Sequence, residues 1–600
     1  MLRPQQNQTR NVLDLSGLWH FQVDPDAAGE AARWFDGIPN PRQVAVPGSW
    51  NEQFTDTDLY LGRAWYVHET YVPPGWRGSR VLLHVGSANY AARLWVNGAF
   101  IGEHLGGHLP FALDITGHIL WHEPNRIAIE VENELRPDRV PPGNMTGDAG
   151  PLGFGGNNPP TAFDFFPYAG IHRPVTLVGI PPRHLTDITV TTEIEGRDGV
   201  VHVRAAASEG WDGEGTAEIV AGDRNLIAGL DFAGGEATAT IRVPGARLWS
   251  PDDPHLYRLT VSLLGDDALA DTYQLDIGIR TIAVAGDRLL LNGQPIELRG
   301  FGKHEDSPAF GRGLNLPQMT QDASLMRWLG ANSYRTSHYP YAEEAMDLAD
   351  RLGFLIIDEI PAVGLSFSDG EANIRARLDQ CKAQIAELVA RDKHHPSVIS
   401  WSVANEPIPN TMRALTGDPD DGEASGVDAT GGDAFFAELT TYARGLDGTR
   451  PVIIVGVMGG SPRSWLAMSD FIAINRYWGW YVMGGMLDAA RQALDEEVDA
   501  LHATHGKPLV MTEFGADTIA GRHAVDPQLF TEEYQRDCLR IYLDSAAERP
   551  WFIGLHVWNF ADFRTAMGIS RMGGFNLKGV FTRDRQPKLA AHYLRERWTS

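Results

Sequence analysis

The sequence predicts a multidomain chain: two β-sandwiches followed by a (β/α)8 TIM barrel. Three observations carry this. The 600 residues exceed one core, since single domains usually run to about 100–200 residues and α/β barrels to roughly 250 or more. Residues 12 to 280 read as short strands bounded by Gly, Asn or Pro, the rhythm of sandwiches. After residue 281 strand and helix alternate, the signature of βα units and a parallel sheet.

The sandwich strands are exemplified by Val81-Leu-Leu-His-Val-Gly, Ala92-Arg-Leu-Trp-Val-Asn-Gly and Arg126-Ile-Ala-Ile-Glu-Val. A Pro-rich junction at Gly179-Ile-Pro-Pro-Arg separates them from a second run, with Asp187-Ile-Thr-Val-Thr-Thr and Tyr257-Arg-Leu-Thr-Val-Ser-Leu. The expected domains are therefore 1–181, 182–280 and 281–600. Residues 143–160, rich in Gly, Pro and Asn, read as a long surface loop. Eight barrel strands are expected at 296–300, 333–336, 354–358, 398–403, 451–455, 471–475, 508–512 and 553–558. Clear helical patterns lie at 321–329, 343–352, 374–392, 487–505 and 531–547, with a short, weak one at 464–468.

Composition excludes several functions. Hydrophobic residues at 43% and charged residues at 21% suit a large buried core. A net charge of −26 argues against nucleic acid, which needs clustered Lys and Arg, and against anionic membrane surfaces. An anionic substrate would then require a local cationic site to overcome the global field. Two cysteines, Cys381 and Cys538, both in helical segments, exclude a disulfide framework and a Cys-rich metal site. No apolar leader opens the chain and no stretch approaches about 18 apolar residues, so a cytoplasmic protein is expected. No metal or cofactor is expected either: His-Glu-x-x-His is absent, and Gly153-Phe-Gly-Gly-Asn-Asn lacks the strand–helix frame of a dinucleotide site.

Barrel active sites sit at the C-terminal ends of the strands. Strand two ends at His338, strand three at Asp358-Glu359, strand four at Asn405-Glu406-Pro, strand six at Asn475-Arg-Tyr477-Trp-Gly-Trp-Tyr481, strand seven at Thr512-Glu513, and strand eight at Trp558-Asn-Phe-Ala-Asp562. Two glutamates facing each other across a barrel mouth supply what glycoside hydrolysis needs, one protonating the leaving oxygen and the other attacking or activating water. Spacing alone does not rank Glu359 below them. Trp478, Trp480 and Trp558 stand where aromatic faces would stack on a sugar.

These residues resemble family 2 glycoside hydrolases, and within them the β-glucuronidases. The resemblance runs along nearly the whole chain. It is sharpest in Asp164-Phe-Phe-Pro-Tyr-Ala-Gly-Ile-His-Arg-Pro174, residues 336–344, 401–407, 475–481, 512–517 and 557–563, and Asn576-Leu-Lys-Gly-Val-Phe-Thr-Arg-Asp-Arg585. It implies that the first sandwich is jelly-roll-like and sugar-binding, and the second immunoglobulin-like. It implies Glu406 as acid/base and Glu513 as nucleophile of a retaining double displacement, with carboxyl groups about 5–5.5 Å apart. It implies that Asn405 holds the sugar 2-hydroxyl, that Asp164, His338, Tyr477, Tyr481 and Trp558 are further sugar contacts, and that Glu359 is supporting. Asn576 and Lys578 would bind the C6 carboxylate of a glucuronide with Arg571 nearby, the Lys as point charge and the Asn as orienting donor. A homo-oligomer, tetramer or dimer, is expected. β-Galacturonidase or β-galactosidase activity, and a non-catalytic carbohydrate-binding protein, stand as alternatives. Two departures are visible: the segment 362–371 after strand three is short, and an acidic, Gly-rich stretch at 408–432 looks inserted, read either as a surface loop or as a substitute lid.

Overall fold

The computed structural model describes residues 2–143, 158–161, 163–265, 269–367, 370–408, 430–458, 463–568 and 570–600. The loop expected at 143–160 and the insertion expected at 408–432 lie almost wholly outside the described residues.

The first unit pairs two antiparallel sheets. One holds six strands in the order Arg42–Val46, Gly17–Asp24, Arg63–Thr70, Asn125–Glu132, Ala91–Val96, Ala99–Leu105. The other holds four: Asn11–Asp14, Val175–Ile180, Arg80–Val85, Phe111–Asp114. Alternation sends one face of each inward, so Trp19, Phe21 and Ile129 from the first meet Leu83, Val85 and Leu177 from the second in one apolar core. This is the jelly-roll-like sandwich. The immunoglobulin-like sandwich follows, with sheets of three strands (Leu185–Glu195, Asp198–Ala207, Glu236–Val243) and four (Arg224–Phe232, Gly213–Ala221, Tyr257–Leu264, Leu269–Ile277) over a second core. A buried Arg10–Asp271 ion pair at 2.6 Å ties the N-terminal segment to it.

The third unit is a closed barrel of eight parallel strands: β1 (Leu298–Gly302), β2 (Ser333–Arg335), β3 (Leu355–Glu359), β4 (Val398–Asn405), β5 (Val452–Gly456), β6 (Ile472–Asn475), β7 (Leu509–Glu513) and β8 (Phe552–Val557). Their continuous apolar runs follow from burial on both faces, core inside and helices outside. All eight strands stand where the sequence places them, within two residues. The helices after the strands are α1 (Leu316–Leu329), α2 (Glu343–Leu352), α3 (Glu371–Asp392), α4 (Thr430–Leu446), α5 (Arg463–Met468), α6 (Leu487–His505), α7 (Glu532–Ala547) and α8 (Leu589–Thr599).

Two helices, α4 and α8, escape the sequence reading, and α1 starts five residues earlier than expected. Asn315 caps α1 by accepting the Gln318 N–H at 3.2 Å, and Pro317 sits in the first turn, where its missing N–H costs nothing. Among the described residues no helix is long and apolar enough to cross a membrane.

Candidate active site

The mouth of the barrel gathers its polar groups around Arg335 at the end of β2. This guanidinium is fully buried, so its charge must be met by carboxylates. It donates to both Glu359 oxygens at 2.8 and 2.9 Å, to Asn405 Oδ1 at 3.3 Å, and to Glu513 Oε1. Glu359 also accepts from Ser402 at 2.7 Å and lies 2.8 Å from His338 Nδ1. Burial opposes its charge, yet Arg335, His338 and Ser402 hold the Glu359 carboxyl below its usual range. With both oxygens engaged, Glu359 braces the site rather than facing a ligand.

Glu513, at the end of β7, uses one oxygen for Arg335 and accepts the Tyr477 hydroxyl at 2.6 Å on the other. His338 Nε2 lies 3.6 Å from it. The His338 ring stacks with Trp558 (centroids 5.1 Å) and with Phe165 (6.1 Å). Two glycines make room for this packing. A Cβ on Gly302 would collide with the Trp558 indole, and one on Gly515 with the Trp558 carbonyl.

Glu406 follows β4 in a left-handed backbone conformation (φ 49°), costly for a residue with a side chain and characteristic of functional positions. Its backbone N–H donates to Val455 at 2.9 Å. Asn475 Nδ2 donates to both Glu406 Oε1 (3.0 Å) and Asn405 Oδ1 (3.1 Å), while Asn475 Oδ1 accepts from Thr512 (2.7 Å). Register shifts within β4–β5 and β6–β7 at Asn405 and Asn475 re-aim these side chains. Removal from water and then the Glu513 charge push Glu406 up to about 8, which keeps it protonated at neutral pH as a proton donor must be.

The cationic end is built on the segment after β8. Lys578 has no solvent exposure. It donates to Asp517 and, at 2.8 Å, to the Tyr481 hydroxyl. It faces the rings of Tyr481 (4.6 Å), Trp480 (5.6 Å) and Tyr477 (5.7 Å), each attractive to a cation. Among the described residues it makes these two bonds, of the three an ammonium can donate. Asn576 accepts the Lys578 backbone N–H at 3.1 Å and donates to Asp164 at 2.9 Å. Arg571 grips Asp164 in a two-pronged pair (2.7 and 2.5 Å) and donates to Tyr481 at 2.8 Å. Asp164 comes from the first sandwich, and its carboxylate is 41% exposed. Tyr481 is 51% exposed. Both therefore remain reachable by a ligand. The two ends form one pocket: Tyr477 bonds Glu513 and meets Tyr481 edge-on at 5.0 Å, and Tyr481 bonds Lys578.

All eleven residues singled out in the sequence thus converge on one mouth. Three further members were missed: Arg335, Asn475 and Asp517. Asp517 accepts from Lys578 and from the Leu577 N–H (2.8 Å), and, against burial, Lys578 and Arg571 hold its carboxyl below the usual range. An arginine inside the apolar strand Ser333-Tyr-Arg was the signal for Arg335, since a charge there demands partners. Trp478 is a correction in the other direction. Its indole N–H donates to Glu497 on α6 at 2.8 Å, so it braces the loop from outside, where Trp480 and Trp558 line the pocket.

Comparison with known proteins agrees with this geometry. Family models described as glycosyl hydrolases family 2, sugar binding domain, glycosyl hydrolases family 2, and glycosyl hydrolases family 2, TIM barrel domain, match residues 12–181, 183–280 and 282–600. The chain is 40% identical over 615 residues to a β-glucuronidase of Paenibacillus borealis, covering 100% of this chain and 98% of that protein. It is 37% identical over 627 residues to that of Canis lupus familiaris, covering 100% and 92%. Among solved structures, the β-glucuronidase from Ruminococcus gnavus in complex with D-glucaro 1,5-lactone superposes with a TM-score of 0.89 at 35% identity, covering 100% and 99%. The β-D-glucuronidase of Dictyoglomus thermophilum gives 0.87 at 35% identity, with the same coverage. Two sandwiches, a closed barrel with paired glutamates at its mouth, and likeness along the full length lead to one assignment: the chain belongs to glycosyl hydrolase family 2.

Proposed function

We propose that the protein is a retaining exo-β-glucuronidase that hydrolyses β-D-glucuronides through a covalent glycosyl-enzyme. Glu513 attacks the anomeric carbon while protonated Glu406 gives its proton to the glycosidic oxygen. The aglycone leaves as an alcohol, and Glu406, now a carboxylate, takes a proton from the water that releases the sugar from Glu513. Arg335 and Tyr477 orient the nucleophile. Asn405 bonds the 2-hydroxyl, Trp558 and His338 pack on the ring, and Asp164 receives a hydroxyl near the sugar's far end. Lys578 and Asn576, with Arg571 beside them, take the C6 carboxylate. The relatives named above act on the same sugar. The homo-oligomeric assembly and cytoplasmic location expected from the sequence are part of this proposal.

One observation carries the substrate class: a wholly buried ammonium, ringed by three aromatic faces, is joined through Tyr481 and Tyr477 to the nucleophile. A charged hydrogen bond of this kind contributes about 2–3 kcal/mol, on the order of 10²-fold in kcat/KM. Lys578→Ala should therefore cut aryl glucuronide turnover by about that factor and leave the feeble aryl galactoside rate nearly unchanged. Aryl galacturonide belongs in the same panel. Equal losses on all three substrates would remove the carboxylate-binding role of Lys578.

A further inference from the structure

A second cavity, of about 220 Å³, opens at the opposite end of the barrel, where the immunoglobulin-like sandwich meets the segments entering β4 and β5. The volume far exceeds the roughly 10–15 Å³ that admits one water. Its lining includes Arg280, Arg450, Lys393, His394, Thr191 and Thr449, and no carboxylate.

The charges there do not balance. Lys393 is matched by Asp187 (2.6 and 2.8 Å). Arg450 is matched by Asp447 at 2.7 Å, with its remaining nitrogens on the carbonyls of Val398, Lys393 and His395. His394 is turned to the Ile188 carbonyl. Arg280 has no such partner. It is 6% exposed, its Nε and Nη2 donate only to the carbonyls of Pro396 (3.1 Å) and Val398 (2.6 Å), and among the described residues it forms no ion pair and its Nη1 no hydrogen bond. Burial and then the neighbouring Arg450 charge push it down to about 9, against the weaker opposing pull of Asp447 and Asp350. A nearly buried cation whose direct bonds go only to carbonyls is costly, and a guanidinium fork matches an oxyanion's geometry.

We propose that this cavity binds a small oxyanion of the phosphate class, with Arg280 as its principal ligand. The anion supplies the missing charge, the second guanidinium and the threonine hydroxyls stand within the same lining, and the bound group joins sandwich to barrel. The site is separate from the catalytic mouth and does not depend on the reading given to it. The shared chemistry fits inorganic phosphate or a phosphomonoester.

The test is calorimetric titration of the full-length protein with inorganic phosphate and, separately, with a hexose phosphate, in chloride of matched ionic strength, with thermal midpoints followed in parallel. Saturable binding and a phosphate-specific rise in the midpoint are expected. Arg280→Lys, which keeps the charge and loses the fork, should weaken binding at least tenfold. Thr191→Glu, which places a carboxylate in the lining and leaves the Arg280 carbonyl bonds alone, should do the same, so the test survives if the first variant misfolds. Preference for the hexose phosphate over phosphate would identify an esterified ligand. No response beyond chloride, or undiminished binding in Thr191→Glu, would overturn the proposal.

Discussion

Glu406 and Glu513 are the same residue type on strand ends facing each other, and their surroundings separate them. Glu513 has a guanidinium on one oxygen and a phenol on the other. Glu406 has one amide donor and the Glu513 charge nearby, and sits at about 8. The pH dependence follows from that direction. The acid role requires the protonated form, so kcat/KM on an aryl glucuronide should hold through neutrality and fall as pH rises through about 8, approaching tenfold per unit beyond it. A profile flat to well above that value would remove Glu406 from the acid role. At this scale the sequence was informative because the proposed acids and sugar contacts stand in recognisable strings, most of them at strand ends. It was less so for Arg335, Asn475 and Asp517, whose importance lies in what they touch across the barrel, a relation no linear spacing displays.

The elements explain how a charge as exacting as Lys578 is kept in place. Thr531 caps α7 by accepting the Tyr534 N–H at 3.2 Å. One turn on, Gln535 Nε2 reaches the carbonyls of Lys578 and Gly579 (both 3.1 Å) and approaches that of Ala516 (3.4 Å). One side chain thus clamps the strand-seven and strand-eight segments that carry Asp517 and Lys578. Gln535→Met, close in volume and without donors, should raise KM for glucuronides several-fold with a smaller change in kcat. Steady-state kinetics check this, and an unchanged KM would show that the loops hold themselves. The barrel strands were legible because parallel strands buried on both faces leave continuous apolar runs. Helix α4 was not, because Gly431-Gly432 and the acidic stretch before it mask its start. The eleven-residue α8 was not, because its arginines and glutamate at 595–597 interrupt the apolar pattern while Leu594 and Trp598 still pack inward.

At the scale of the whole molecule, two of the three units build one pocket: the barrel supplies both glutamates and, in the segment after β8, the cation, and the first sandwich lends Asp164. The order of sandwiches and barrel was legible from the change in strand rhythm near residue 281. How the first sandwich docks, and hence that Asp164 reaches Arg571 and Asn576, came to the sequence only through resemblance. The net charge of −26 opposes an anionic substrate over distances that salt screens, at about 8 Å in physiological ionic strength, while the buried Lys578 is screened much less. KM for a glucuronide should therefore fall as ionic strength rises from low values, with no matching trend for a neutral galactoside. Parallel trends would mean that the global field is irrelevant. The most direct test of the central claim is to inactivate the enzyme with 2-deoxy-2-fluoro-β-D-glucuronyl fluoride, in which a carboxylate displaces fluoride and the slowed second step lets the adduct accumulate, and to map the label by peptide mass spectrometry. The account predicts a single fluoroglucuronyl ester on Glu513; a label on Glu406 or Glu359, or no covalent adduct while an ordinary aryl glucuronide releases the α-anomer first, would contradict it.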